Sequence, residues 1–146
     1  MTDRTNIDII ESSFEGWNAR DFDKIAAHVS SDYVFETDAL PSPVQGRDAF
    51  IDFARAYLTA FPDLHFTLTD VFAAEDRVVV TWSASGTHLG ELRGLAPTGR
   101  AMHVDGCTIA RFRDGKVTSQ RAFWDSAAIF RQPGVEVPKE RAPADE

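Results

Sequence analysis

The residues of this chain best suited to chemistry crowd into one late run, Val117 to Asp125 (VTSQRAFWD). Side chains alternate across a strand, so Val117, Ser119, Arg121, Phe123 and Asp125 share one face. Thr118, Gln120, Ala122 and Trp124 share the other. A face that carries Phe123 and ends in a carboxylate is unusual for a core, and we read it as lining a pocket. Burial in apolar surroundings raises an aspartate pKa, which makes Asp125 a better base, or a usable acid, near neutral pH. A second role is open to it, as a strand-end residue capping a helix at 126–130.

Other residues offer supporting chemistry. Arg121 on that inner face needs an anionic partner, since an unpaired buried charge is costly. Glu36, Asp38 or a ligand carboxylate can supply it, and a purely structural ion pair serves as well as ligand binding. His88 is placed to donate to a carbonyl or enolate oxygen; it is equally a loop histidine bonded to a backbone carbonyl. Phe14, Trp17, Tyr57, Trp82 and Phe123 would make an aromatic surface for a polycyclic ligand, although such spacing also marks plain core. The histidines at 28, 65, 88 and 103 show no ligand spacing, and no metal or cofactor is expected.

The elements that must position these groups follow from the hydrophobic period. Ile7, Ile10, Phe14 and Trp17 recur at helical spacing, and the helix should fade at Gly16–Asn18. Asp21 can cap a short second helix with Phe22, Ile25, Ala26 and Val29 on its buried stripe. Asp32–Asp38 reads as a strand, and Pro41, Pro43 and Gly46 punctuate the next loop. Asp48 opens a third helix with Phe50, Phe53, Ala54, Tyr57, Leu58 and Phe61 on its apolar side, stopped by Pro62.

From Leu64 the period changes to two, with Leu64, Phe66, Leu68 and Phe72 against His65, Thr67, Thr69 and Val71. A strand from Arg77 to Ser85 carries Trp82. A glycine-punctuated excursion follows from Gly86 to Gly99, and its Leu89, Leu92 and Leu95 would close over a cavity. Ala101–Phe112 and the late run are the last two strands, joined at Asp114-Gly115, a strong two-residue hairpin signal.

That hairpin fixes the facing. With Arg113 opposite Lys116, Thr108 lies opposite Arg121, Gly106 opposite Phe123 and Val104 opposite Asp125. The inner set is then Met102, Val104, Thr108, Ala110, Arg121, Phe123 and Asp125, joined by Trp82, Ala84, Gly86 and His88. His103, Asp105, Cys107, Ile109, Arg111 and Trp124 face outward. Cys107, Ile109, Ala122 and Trp124 make an outer apolar patch that suggests a homodimer interface, unless the chain end covers it. A one-residue slip would invert the assignment.

Composition bounds the rest. A chain of 146 residues with 43% hydrophobic and 26% charged residues suits one globular domain. Fifteen basic residues against 23 acidic give a net charge of −8, which disfavours nucleic acid and anionic membrane surfaces as partners. A lone Cys107 excludes an intramolecular disulfide framework, and no run of about 18 apolar residues forms a membrane helix. The N-terminus lacks signal-peptide character, so a cytoplasmic location is expected. Residues 1–131 read as one domain, and 132–146, rich in Pro, Glu and Lys, as a disordered acidic tail.

Three helices and mainly hairpin-joined strands give an α+β class, a curved antiparallel or mixed sheet forming a cone with the helices packed on one face. Trp17-Asn18, Arg20-Asp21, Gly46-Arg47, Phe61-Pro62-Asp63, the Gly86–Gly90 and Pro97–Arg100 segments, Asp114-Gly115-Lys116 and Trp124-Asp125 resemble the SnoaL-like polyketide cyclases of the nuclear transport factor 2-like fold. The resemblance runs from about Ile7 to Gly134. It implies a cofactor-free intramolecular aldol closure on a small hydrophobic carbonyl compound, with Asp125 at the acid/base position. Arg121, Phe123, Trp82, Trp17, Phe14, Tyr57, Thr108, Met102 and Val104 are the expected substrate contacts, with His88 as a second catalytic group. A non-catalytic binder of apolar molecules is the alternative. An epoxide hydrolase would need His103 and Asp105 turned into the pocket, and a ketosteroid isomerase would need acids where Thr37 and Thr108 stand.

Overall fold

The computed structural model describes residues 3–125. The helix cap at 126–130, the domain boundary at 131 and the tail expected from Gln132 lie outside the described residues. Helix α1 spans Asp3–Ala19, α2 Phe22–Ile25 and α3 Arg47–Ala60. Strands follow as β1 Val29–Thr37, β2 Val44–Gln45, β3 His65–Ala74, β4 Arg77–Thr87, β5 Ala101–Arg113 and β6 Lys116–Trp124. They form one curved, unclosed sheet in the order β2-β1-β6-β5-β4-β3. All neighbours are antiparallel except β1 and β6, so the sheet is mixed, in the expected α+β class.

Local chemistry explains the elements. Helix α1 runs through Gly16 and ends only at Arg20, which adopts φ +59. Gly16 is required there by packing, because a β-carbon would meet the Ile25 backbone nitrogen at 2.7 Å where α2 crosses. Asp21 caps α2 as expected, accepting from the Lys24 amide at 3.1 Å. Val29 belongs to β1 instead of the helix. The two-residue β2 escaped the period analysis, since two residues show no alternation.

Three of the quoted sequence motifs act as staples. The Asn18 side chain donates to Phe66 O at 3.0 Å and accepts from the Phe66 amide at 2.8 Å, fixing α1 to the start of β3. Arg20 donates to Asn18 O at 2.8 Å and also reaches Pro62 O. Asp63 accepts from the Thr87 amide at 2.7 Å and the Thr87 hydroxyl at 2.8 Å, which holds its carboxyl below the usual carboxylate range.

The β5–β6 register corrects the expected facing. Asp114 and Gly115 take φ +53 and +77, so the hairpin turn is the one anticipated, with Arg113 opposite Lys116 and Phe112 opposite Val117. A bulge then inserts Thr118, and Arg111 pairs with Ser119, Thr108 with Ala122 and Gly106 with Trp124. One extra residue reverses every later side chain of β6. Arg121 and Phe123 therefore face outward, whereas Gln120, Ala122 and Trp124 face the helices. The outer patch loses Ala122 and Trp124, keeping Cys107 and Ile109. Strand β5 keeps its expected facing, so His103 and Asp105 lie on the outer side, 3.6 Å apart as an exposed pair. A similar shift after Leu68 leaves Phe72 55% exposed.

Candidate functional site

The inner face of the sheet and helices α1 and α3 enclose a cavity with about 730 Å³ of free space, its open mouth included. Helix α1 contributes Ser13, Phe14 and Trp17; α3 contributes Phe50, Phe53 and Tyr57. The sheet supplies Phe35 from β1, Phe66 from β3, Trp82 and Ala84 from β4, Met102, Val104 and Thr108 from β5, and Gln120, Ala122 and Trp124 from β6. Leu64 completes the wall. The rings interlock mostly edge-on or tilted. Trp82 meets Phe66 at 5.3 Å and Trp124 at 6.2 Å, and Phe66 meets Phe14 at 5.2 Å. Such contacts contribute about 0.5–1.5 kcal/mol per pair beyond area burial.

Burial within this wall is graded. Phe14, Trp17, Phe35, Phe50, Trp82, Thr108 and Ala122 are buried, whereas Phe53, Tyr57, Met102, Val104 and Trp124 are half-exposed. The half-exposed set comes from the middle and last turn of α3, the start of β5 and the end of β6, and it marks the mouth.

Few polar groups enter the cavity, and most are already engaged. Trp82 Nε1 donates to Thr108 Oγ1 at 3.0 Å, and Ser13 Oγ donates to Ile25 O at 2.8 Å. The Tyr33 hydroxyl donates to Gln120 Oε1. Burial pushes the Tyr33 phenol well above its ordinary value, so it stays protonated and remains a donor. Gln120 Oε1 is thus engaged, and its side chain lies in the cavity wall.

Seven of the expected substrate contacts, Phe14, Trp17, Tyr57, Trp82, Met102, Val104 and Thr108, line this one cavity. The bulge removes the other two. Arg121 pairs outside with Glu36 at 3.6 Å and lies over the Phe123 ring at 5.3 Å. Its anionic partner is thus one of those anticipated, on the opposite face of the sheet. Phe123 is 42% exposed. Asp125, expected on the inner face with Arg121 and Phe123, is exposed and not part of the cavity wall, because the same bulge shifts the register ahead of it; it follows Trp124, which does line the mouth.

His88 is fully buried but is not part of the cavity wall. Its Nδ1 accepts from the Thr98 amide at 3.2 Å and lies 3.1 Å from the Thr98 hydroxyl, while its ring packs on Phe61 at 5.3 Å. The backbone amides of Leu89 and Gly90 dock on Ala60 O at 2.9 and 3.1 Å. His88 thereby pins the long excursion against the end of α3. Among the described residues, no group of three or more His, Cys, Asp or Glu is placed to hold a metal ion. No helix there is long and apolar enough to cross a membrane.

Sequence reasoning missed Gln120, Ala122 and Trp124 because of the bulge, and Tyr33 because its role depends on Gln120. The helical period places Phe50 and Phe53 on the apolar side of α3, but nothing in it distinguishes cavity wall from core.

Comparison with known proteins matches this arrangement to one family. The SnoaL-like polyketide cyclase family profile matches residues 8–133. Aklanonic acid methyl ester cyclase AcmA from Streptomyces galilaeus is 26% identical over 121 residues, covering 82% of this chain and 84% of AcmA. The structure of AclR, a candidate hydroxylase from Streptomyces galilaeus, superposes with a TM-score of 0.79 at 26% identity, covering 89% of this chain and 96% of AclR. A candidate SnoaL-like cyclase from Jannaschia sp. CCS1 gives a TM-score of 0.83 at 24% identity over 93% of this chain and 94% of its own, a likeness of fold.

Proposed function

This chain belongs to the SnoaL-like polyketide cyclase family, and from that membership we propose that it closes a ring within a hydrophobic carbonyl compound by acid/base catalysis. AcmA, a relative named as a cyclase, supports a cyclase-type role. The observation that carries the chemistry is the cavity itself, aromatic on almost every side, with its half-exposed wall beside the end of β6 where Asp125 follows. Apolar walls with a few fixed polar groups suit a polycyclic or ring-forming ligand.

In this reading the Asp125 carboxylate takes a proton from a carbon next to a carbonyl. The C–H electron pair shifts to leave an enolate, whose carbon attacks a second carbonyl of the same molecule. The new alkoxide takes the proton back. One C–C bond forms, no atom is lost, and the step needs no cofactor.

Aklanonic acid methyl ester is the first substrate to try, with chromatography and mass spectrometry to detect a product of unchanged mass. A positioned acid/base contributes roughly 10²–10⁴-fold, so Asp125→Asn should slow turnover by at least about 100-fold. The exposure of Asp125 favours one other reading, a binder that uses the cavity without chemistry. Ligand affinity without turnover, unchanged in Asp125→Asn, would select it.

A further inference from the structure

Two polar groups stand at the cavity mouth with no task in ring closure by Asp125 alone: Tyr57, in the wall, and Arg93, exposed beside it. Tyr57 opens the last turn of α3, its ring edge-on to Trp124 at 6.2 Å and tilted against Phe53 at 4.9 Å. Burial raises its phenol above the ordinary value, and the Arg93 guanidinium beside it draws it partly back through charge and hydrogen bonding. At neutral pH the phenol therefore keeps its proton and has an O–H to give.

Arg93 is held in that place from two sides. It adopts φ +48 and is followed by Gly94 at φ +89, a tight reversal braced by reciprocal Leu92–Leu95 backbone bonds of 3.0 and 2.9 Å. Its Nη1 donates to Ala39 O at 2.6 Å, which ties the excursion to the turn after β1. Strand β1 runs parallel to β6 with Thr37 beside Ala122, so Ala39 and Asp125 leave the sheet at the same end. Helix α3, the excursion and the ends of β1 and β6 thus converge on one rim.

We infer that Tyr57 and Arg93 form an oxyanion-stabilising pair at this rim, recognising the enolate or phenolate oxygen of an otherwise apolar ring compound. The guanidinium has donors only, so it can face the phenol oxygen and leave the phenol proton for the ligand. A hydrogen bond given by a phenol beside a fixed cation is stronger towards an oxyanion than towards a neutral carbonyl. Tyr57 keeps its proton throughout; it steadies the charge that appears on the first carbonyl oxygen when the base removes the carbon-bound proton. The inference rests on the ring-closure reading for its reaction, but its binding consequence holds whether or not a ring is closed.

2-Naphthol is the probe, because its ultraviolet absorbance reports its ionisation. Bound to the intact chain, its apparent pKa should fall by about one unit or more, a tenfold or greater preference for the naphtholate. Tyr57→Phe and Arg93→Gln should each remove most of that shift, while naphthalene, which lacks the hydroxyl, binds all three proteins alike. Naphthol that binds with unchanged ionisation overturns the oxyanion pair and leaves the cavity reading standing. Failure of both naphthol and naphthalene to bind overturns the cavity reading and the pair with it. An undiminished shift in both variants would place the anion elsewhere and also overturns the pair.

Discussion

The indole of Trp82 fills the space that a side chain on Gly106 would need. A β-carbon built on Gly106 would fall 2.3 Å from both Cζ2 and Cη2 of Trp82. Gly106 pairs with Trp82 on β4 and with Trp124 on β6, so its missing side chain gives the two neighbouring indoles room on the same face. A rigid ring cannot yield as a flexible chain end would. Gly106→Ala should push Trp82 off Thr108 and cost about 1–3 kcal/mol, the range for overpacked cores. Chemical denaturation measures this, and a variant as stable as the parent would refute the packing.

The bulge at Thr118 makes a prediction about neighbours in sequence. Ala122 is 4% exposed on the cavity wall, whereas Phe123 is 42% exposed outside. Ala122→Phe should fill the cavity and weaken 2-naphthol binding on the order of tenfold or more, about 1.4 kcal/mol. Phe123→Ser should leave that affinity unchanged. Fluorescence titration of the two variants reads the register directly, and the reverse pattern would restore the unbulged hairpin.

Removing one partner of a buried hydrogen bond costs more than removing both. Tyr33→Phe leaves the Gln120 oxygen buried and unmatched, for a loss of about 1–3 kcal/mol. Adding Gln120→Leu should recover part of that loss. A double variant whose cost equals the sum of the two single costs, from denaturation curves, would show that the pair does not act as a unit.

Asp63 gives a pH dependence with a defined sign. Its carboxyl is held below the ordinary aspartate value, first by the Thr87 amide and then by the Thr87 hydroxyl. A depressed carboxylate contributes stability that is full above the unfolded pKa and fades as pH falls through the folded one. Because Asp63 is exposed, Asp63→Ala should cost only about 1 kcal/mol at pH 7. The gap between parent and variant should close in acid, below about pH 4. An equal gap at pH 7 and pH 3 would mean that charge plays no part.

Much of the architecture was legible because it is written in local periods. The apolar stripe of α3, the Asp21 cap and the Asp114-Gly115 turn each depend on a few neighbouring residues. The facing of β6 was not, because one bulged residue outweighs a correct turn. Thr118 carries no glycine or proline to mark the insertion, and Arg121, Ala122 and Phe123 make either facing chemically plausible. His88 illustrates the other limit. Its residue type suits catalysis, but only the structure shows that Thr98 engages its Nδ1 and that the ring is buried away from the cavity wall.

The place of β6 in the sheet bears on how the chain comes to be folded. It is the last described strand, yet it lies between β1 and β5. During synthesis β1 and β2 must wait, with one edge of β1 unsatisfied, until residues from Lys116 onward emerge. Until then the β3–β4–β5 meander can assemble alone, but the cavity lacks Gln120, Ala122 and Trp124 and has no closed wall. Joining strands so far apart in sequence carries a large entropic cost and slows folding. A nascent chain stopped at Arg113 would therefore present a bare strand edge and an open aromatic trough, the kind of surface that chaperones bind and that aggregation exploits.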